Sequence, residues 1–420
     1  MPIRGKLISQ GEEHHFTLPG SWNLLAQAEP RDVPAVADLR AGLRRALENP
    51  IGTRSLAKLV PGSGHVAIIS EDQTRPSPVA GVIGPLVEML TELGVDDGRI
   101  KVIIGGGVHR KATPEEVKAK LGASIVNRFT VTVHDCDDRE NLVLMGRTGR
   151  DTPVWINRAV AEAGLKIGIG TCNPHYFAGY GGGAKLILPG VAGRESIVHN
   201  HTMCGHLKAT QGVTEGNPIW EDMLEAARMA GLDVKIDLVL NTRKEVHEIF
   251  AGEMEQVQRE AIKKLLTIYG QSVPRMADIS LTSGYPLETD LIQSGKAILL
   301  ANEVTKDGGA IVLMAALTDG AGPKLYQTLK QKPDPETVLE WIREGRTEPT
   351  GGPLASMLRK LLETKRIIVV TAGLTGKQVE DMEMEHASTI EEAIEILAKD
   401  YQNPDVIISP VGGSTFPYVG

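Results

Sequence analysis

The sequence predicts an α/β protein of two domains, each built on a mainly parallel sheet, and three observations carry the prediction. Short apolar runs without alternation recur, each closed by glycine or a polar turn; helical patterns separate them; and the series occurs twice in 420 residues. Unalternating runs of this kind read as strands buried on both faces, and strands that alternate with helices form a parallel sheet.

In the first series the runs are VAIIS (66–70), IKVIIGGG (100–107), FTVTVHD (129–135) and LKIGIG (165–170). Between them GPLVEMLTELG (84–94), TPEEVKAKLG (113–122) and NRAVAEAG (157–164) read as helices, the second with Thr113 as N-cap and Pro114 at its first position. The second series is ADISLTSG (277–284), GGAIVLMAAL (308–317), RIIVVTAG (366–373) and PDVIISP (404–410), with TIEEAIEILAKD (389–400) among its helices. A long amphipathic segment, residues 254–270, runs into a polar stretch and sets the expected boundary: domains 1–270 and 271–420. Open α/β sheets bind ligands at the carboxyl ends of their strands, so a cleft between two such domains is the expected site.

Composition removes several classes of partner. Net charge is −8 and no basic run or basic-aromatic stripe occurs, which argues against nucleic acid. No stretch approaches the ~20 apolar residues of a membrane span. The opening MPIRGKLISQGEEHHF has basic residues but no apolar run behind them, unlike a secretory or transit peptide, so a cytoplasmic location is expected. Cys136, Cys172 and Cys204 are odd in number and lack CxxC spacing, which fits neither a disulfide framework nor a thiolate zinc site.

Chemistry concentrates in NPHYFAGYGGGAKLILPGVAGRESIVHNHTMCGH (173–206). Gly179, Gly181, Gly182 and Gly183 leave backbone N–H groups open to an anion, with His175 before them and Lys185 after. The run has neither P-loop nor dinucleotide spacing. Four of the eleven histidines lie between 175 and 206, which invites a metal. If GRESIVHNH is helical, His199 and His201 point to different sides and only one of them serves a given ion. His199, His206 and Cys204 read first as surface or core residues. Elsewhere, EDQTRPSP (71–78) presents Asp72, Thr74 and Arg75 after a strand, and a guanidinium is the side chain best shaped to grip a carboxylate. GGGVHR puts His109 at a strand end, where an imidazole titrates near neutral pH. Gln293 and Lys296 are three apart and share a helix face.

Taken in order, the DxTR segment (Asp72 to Arg75), the Gly-x-His-Arg segment ending at Arg110, the HxFAGxxGGxK block (His175 to Lys185) and the Gln-Ser-x-Lys block (Gln293 to Lys296) resemble the nickel-pincer-nucleotide lactate racemase family over most of the chain. The His175 to Lys185 block is the specific one. The resemblance implies two α/β domains with a cofactor in the cleft: a pyridinium mononucleotide (pyridinium-3-thioamide-5-thiocarboxylic acid) whose two sulfurs and one ring carbon hold Ni(II). It implies that Lys185 carries the covalent thioamide link, that His201 completes the nickel plane, and that His109 and His175 are the acid-base pair. Arg75 and Lys296, with Gln293, would hold the substrate carboxylate; Asp72, Thr74 and the glycine loop would touch the cofactor. The implied activity is racemisation or 2-epimerisation of a small 2-hydroxy acid, with cofactor-synthesis enzymes as partners. One segment departs from the pattern. GGPLASMLRKLL (351–362) stands where lactate-specific members carry an Asp-Gln-Trp-like segment, which opens the pocket to dicarboxylic or sugar-derived 2-hydroxy acids. A metal-dependent hydrolase or a nickel-binding protein would use the same histidines, although HExxH is absent. A nicotinamide dehydrogenase would need a GxGxxG that the chain lacks.

Overall fold

A computed structural model of the chain describes residues 3–420. They form two compact units, one made of residues 32–268 and the other of residues 3–31 with 269–420.

The first unit has a six-stranded sheet in the order Val246–Gly252, Val234–Leu240, Leu165–Thr171, Val66–Glu71, Ile100–Gly105, Thr130–Val133, parallel except for the antiparallel edge strand Val246–Gly252. Its central strands are buried on both faces, as the unalternating runs require. Val66, Ile68, Val102, Ile104, Ile167 and Ile169 share one core with Val79, Val82, Ile83, Leu86 and Leu90 of the helix Val79–Glu92. That helix starts five residues before the expected 84. Val79, Val82 and Ile83 extend the buried stripe backwards, and this outweighs the hydrogen bond that Pro85 cannot make inside it. The helix Pro114–Leu121 has the expected cap: Thr113 accepts from the Glu116 N–H in a full capping box. A hairpin, Leu142–Arg147 with Pro153–Asn157, was not foreseen as strands.

In the second unit all six sheet strands are parallel, ordered Glu385–Ala387, Arg366–Val370, Thr305–Met314, Ala277–Ser283, Asp405–Ser409, Asn23–Gln27. With the last of these, residues 3–31 group with 269–420, which differs from the expected division at residue 270. The physical reason is burial. Leu7, Phe16, Leu18 and Trp22, from the hairpin Ile3–Ser9/Glu12–Leu18 and its exit, join a core with Ile279, Leu281, Val406, Ile408 and Leu397. Glu12–Leu18 opens with four exposed polar residues and buries only Phe16 and Leu18, which hides it from a search for unbroken apolar runs. No helix among the described residues is long and apolar enough to cross a membrane.

Candidate active site

In the first unit the parallel register aligns Glu71 with Gly105 and Ser70 with Ile169, so the segments after three strands leave the sheet at one edge. A cavity there is lined by Glu71, Asp72, Arg75, Gly106, His109, Asn173, His175, Gly181, Gly182 and Lys185, among others. Glu71 ties two of the strand ends together, accepting from the Thr171 N–H at 3.1 Å and the Thr171 hydroxyl at 3.0 Å.

Asp72 is 3% exposed, and both of its oxygens are engaged. Oδ1 accepts from the Thr74 hydroxyl (2.7 Å) and N–H (3.1 Å), and Oδ2 lies 2.6 Å from His109 Nδ1. Burial alone would raise the Asp72 carboxyl; His109, Arg75 and Thr74 outweigh it and hold its pKa at about 2. An ionised Asp72 accepts a hydrogen bond from Nδ1–H, which leaves the lone pair of the neutral His109 ring on Nε2. Burial lowers the His109 pKa, with Arg75 and Lys185 adding to it and Asp72 opposing. The geometry therefore makes Asp72 and Thr74 supports of His109. Arg75 lines the same cavity with no hydrogen bond or ion pair to its guanidinium among the described residues. Its backbone is pinned from behind: the buried Lys120 ammonium donates to the Arg75 carbonyl at 2.8 Å and to Ser77.

His175 sits in a two-residue strand paired with Gly179–Tyr180, stacked on Tyr176 and edge-on to Phe177. Its Nε2 lies 3.0 Å from Lys185 Nζ, and its Nδ1 accepts from the Ala178 N–H at 3.3 Å. Lys185 rides on the 3-10 turn Gly183–Leu186. The glycines before it serve the protein's own packing. The Gly181 N–H donates to the Asn173 carbonyl and the Gly183 N–H to Asp237. A Cβ on Gly179 would meet the Val213 carbonyl at 2.2 Å, and one on Gly183 would meet Gln258 at 2.2 Å. Only Gly181 and Gly182 of the four expected ligand glycines line the cavity.

The platform under this turn escaped the sequence reading. Asp237 and Lys235, fully buried on Val234–Leu240, pair at 2.6 Å, and Gln258 donates to the Gly181 carbonyl at 3.0 Å while accepting from Trp220 Nε1. Two ionisable residues inside the apolar strand VKIDLVL were the available signal.

His201 ends the helix Arg194–His201, 5% exposed and T-shaped to Phe177 at 4.9 Å; it does not line the cavity itself. Burial drives its pKa well down, with Lys185 and His109 adding to the shift. His199 bonds the Arg150 carbonyl, and His206 accepts from the Lys208 N–H at the surface. Cys172 and Cys204 are buried, and burial raises the Cys172 thiol well above its ordinary range. Gln293 and Lys296 belong to the other unit, on the helix Leu291–Asn302, where Lys296 donates to Gln293 Oε1 at 2.6 Å. The helix Gly352–Leu362, from the segment without tryptophan, starts against this one: Leu354 lies beside Gly295.

His109, His134 and His201 all have pKa values lowered chiefly by burial. Below the unfolded value of about 6.5 the unfolded chain therefore binds more protons than the native one, and stability falls as pH falls. Each histidine contributes up to about 1.4 kcal/mol per pH unit until its native pKa is reached. Urea midpoints of the cofactor-free protein should drop between pH 7 and 5, less steeply in His134→Asn; equal slopes for both proteins would refute this.

Residues 10–212 match the model of the lactate racemase N-terminal domain, and residues 273–415 that of the lactate racemase C-terminal domain. A lactate racemase of Thermoanaerobacterium thermosaccharolyticum is 34% identical over 377 residues, 87% of each chain. The chain belongs to the lactate racemase family. A lactate racemase of Lactiplantibacillus plantarum is 32% identical over 420 residues, covering 97% of this chain and 93% of that one. The solved lactate racemase apoprotein of T. thermosaccharolyticum superposes with a TM-score of 0.88 at 30% identity, over 99% of this chain and all of that one. A Thermotoga maritima protein shares the fold at a TM-score of 0.67 and 18% identity, over 93% of this chain.

Proposed function

We propose that this member of the lactate racemase family is a racemase or 2-epimerase of a small 2-hydroxy acid, working with a covalently attached nickel-pincer nucleotide. The observation that carries the reading is the pair of imidazoles on one cavity, each with a fixed partner: His109 on Asp72 and His175 on Lys185. The donor set fits the cofactor. Among the described residues the one group of three His, Cys or carboxylate ligand atoms close enough for an ion is Asp135, Cys136 and Asp137, whose carboxylates pair with Lys111 and Arg194. A metal near His201 therefore needs donors from a bound organic group, and a pincer that brings three of its own needs one imidazole.

Lys185 would hold the group and His201 would be the protein's ligand to nickel. When bound, the group supplies an acceptor and donor for the C2 hydrogen with its electron pair. The protein's share is charge, orientation and proton transfer. Arg75 would take the substrate carboxylate, joined by Lys296 and Gln293. His109 Nε2 would remove the hydroxyl proton of one enantiomer as C2 becomes a keto carbon, with Asp72 stabilising the imidazolium; His175 would do so for the other. The substrate is lactate-like, dicarboxylic or aldonic. The chain would act in the cytoplasm, supplied by cofactor-synthesis enzymes.

Protein made alongside those enzymes should show a covalent adduct by intact mass and about one nickel per chain, both lost in Lys185→Ala. Unmodified, nickel-free wild type from a host shown to make the cofactor would overturn the reading.

A further inference from the structure

We infer that Asn200 and Asp222 are positioning residues for His201, fixing its ring with Nδ1 protonated and Nε2 as the only lone pair left for a metal. The inference rests on the proposed role of His201 and adds the part of the chain that would orient it.

Asn200 and Asp222 are both 0% exposed. The Asn200 side-chain nitrogen lies 2.8 Å from Asp222 Oδ2 and 3.2 Å from the Ile219 carbonyl, two acceptors. Only an NH₂ group satisfies both, so the amide cannot be flipped, and its oxygen is the atom that faces His201 Nδ1 at 3.1 Å. An amide oxygen only accepts, so Nδ1 carries a hydrogen, and in the neutral ring Nε2 keeps its lone pair. Asp222 is held in turn: the Thr148 hydroxyl donates to Oδ1 at 2.5 Å and the Thr152 hydroxyl to Oδ2 at 2.9 Å. The chain from two threonines through Asp222 and Asn200 to His201 runs from the loop of the unforeseen hairpin, across the helix Pro218–Ala230, to the last residue of Arg194–His201. Phe177 closes the ring's side edge-on. Outer partners of this kind fix ligand tautomer and ring angle, and their loss commonly weakens metal binding about 10- to 100-fold.

Two measurements test the inference. In cofactor-free wild type labelled with ¹⁵N-histidine, the resonances lost in His201→Gln should show a protonated Nδ1 and an unprotonated Nε2; the opposite tautomer overturns the inference outright. In protein made with the cofactor-synthesis enzymes, Asn200→Leu, close in volume, should keep the Lys185 adduct but lose nickel to a chelator about 10- to 100-fold more readily than wild type. Ile197→Val, a buried change on the same helix, should retain nickel like wild type and so control for loosening of the helix. Nickel retention in Asn200→Leu equal to wild type overturns the inference. If wild type acquires neither adduct nor nickel, the proposed function fails, and the tautomer still decides whether Asn200 orients His201. If Asn200→Leu does not fold, the wild-type spectrum decides alone.

Discussion

Replacing His109 by alanine is expected to slow interconversion of the enantiomers by about 10² to 10⁴, the range that a positioned proton-transfer group contributes. The effect should appear as kcat/KM and be the same factor in both directions, because the ratio of the two kcat/KM values equals the equilibrium constant, which a variant cannot change. A loss confined to one direction is thermodynamically barred, so the equality checks the assay. The pH profile tests the structure more closely. His109 is lowered below the ordinary histidine range, chiefly by burial, with Asp72 pushing the other way through a 2.6 Å hydrogen bond. The base form is needed for activity, so kcat/KM should fall on the acid side at a pH below about 6.5. In Asp72→Asn the opposing charge is gone while burial and Arg75 remain, so the acid limb should move to still lower pH even as the plateau drops. Movement to higher pH would mean that Asp72 does not act on His109. A plateau within threefold of wild type in His109→Ala would remove His109 from the chemistry.

What the sequence made legible follows from what each feature needs from its neighbours. Strands buried on both faces announce themselves because every position must be apolar, and the runs at 66, 100, 165, 277 and 366 all lie in sheets. The same rule hid the N-terminal hairpin, since its strands bury only a few positions and carry polar residues among the others. Its place in the second unit depends on contacts with residues near 280 and 406, far away in sequence. In the site, His109, His175, Arg75 and Lys185 were legible as reactive types at strand ends and beside glycines. The partners that set their geometry were not. Asp72 was visible as a residue of the motif, yet its bond to His109 spans 37 positions. Asn200 lies next to His201 in the chain, but its orientation is dictated by Asp222 and Ile219. Spacing likewise carries no record of Asp237 and Gln258, which occupy the space beside Gly182 and Gly183.

Asp237 and its buried partner Lys235 carry the largest expected effect on stability. Asp237→Ala should destabilise the unit of residues 32–268 by about 3–5 kcal/mol, because it strands the fully buried Lys235 ammonium and removes the acceptor of the Gly183 N–H. Lys235 keeps one bond, to the Ile236 carbonyl at 2.8 Å, which cannot neutralise its charge. The pair itself is not a net source of stability: burial raises the Asp237 pKa against the pull of Lys235 and Gly183, the mark of a desolvation cost only partly recovered. Lys235→Met with Asp237→Asn should therefore recover most of the loss, since no charge is left buried and the asparagine oxygen still accepts from Gly183. A chain of two units need not unfold in one step, so the measurement is hydrogen exchange in Leu165–Thr171 and Val234–Leu240, which reports this unit alone. A single-variant loss below about 1 kcal/mol would mean that water or a shifted side chain reaches Lys235. A double variant no better than the single would place the cost in the Gly183 turn, and hence in the seat of Lys185, and not in the buried charge.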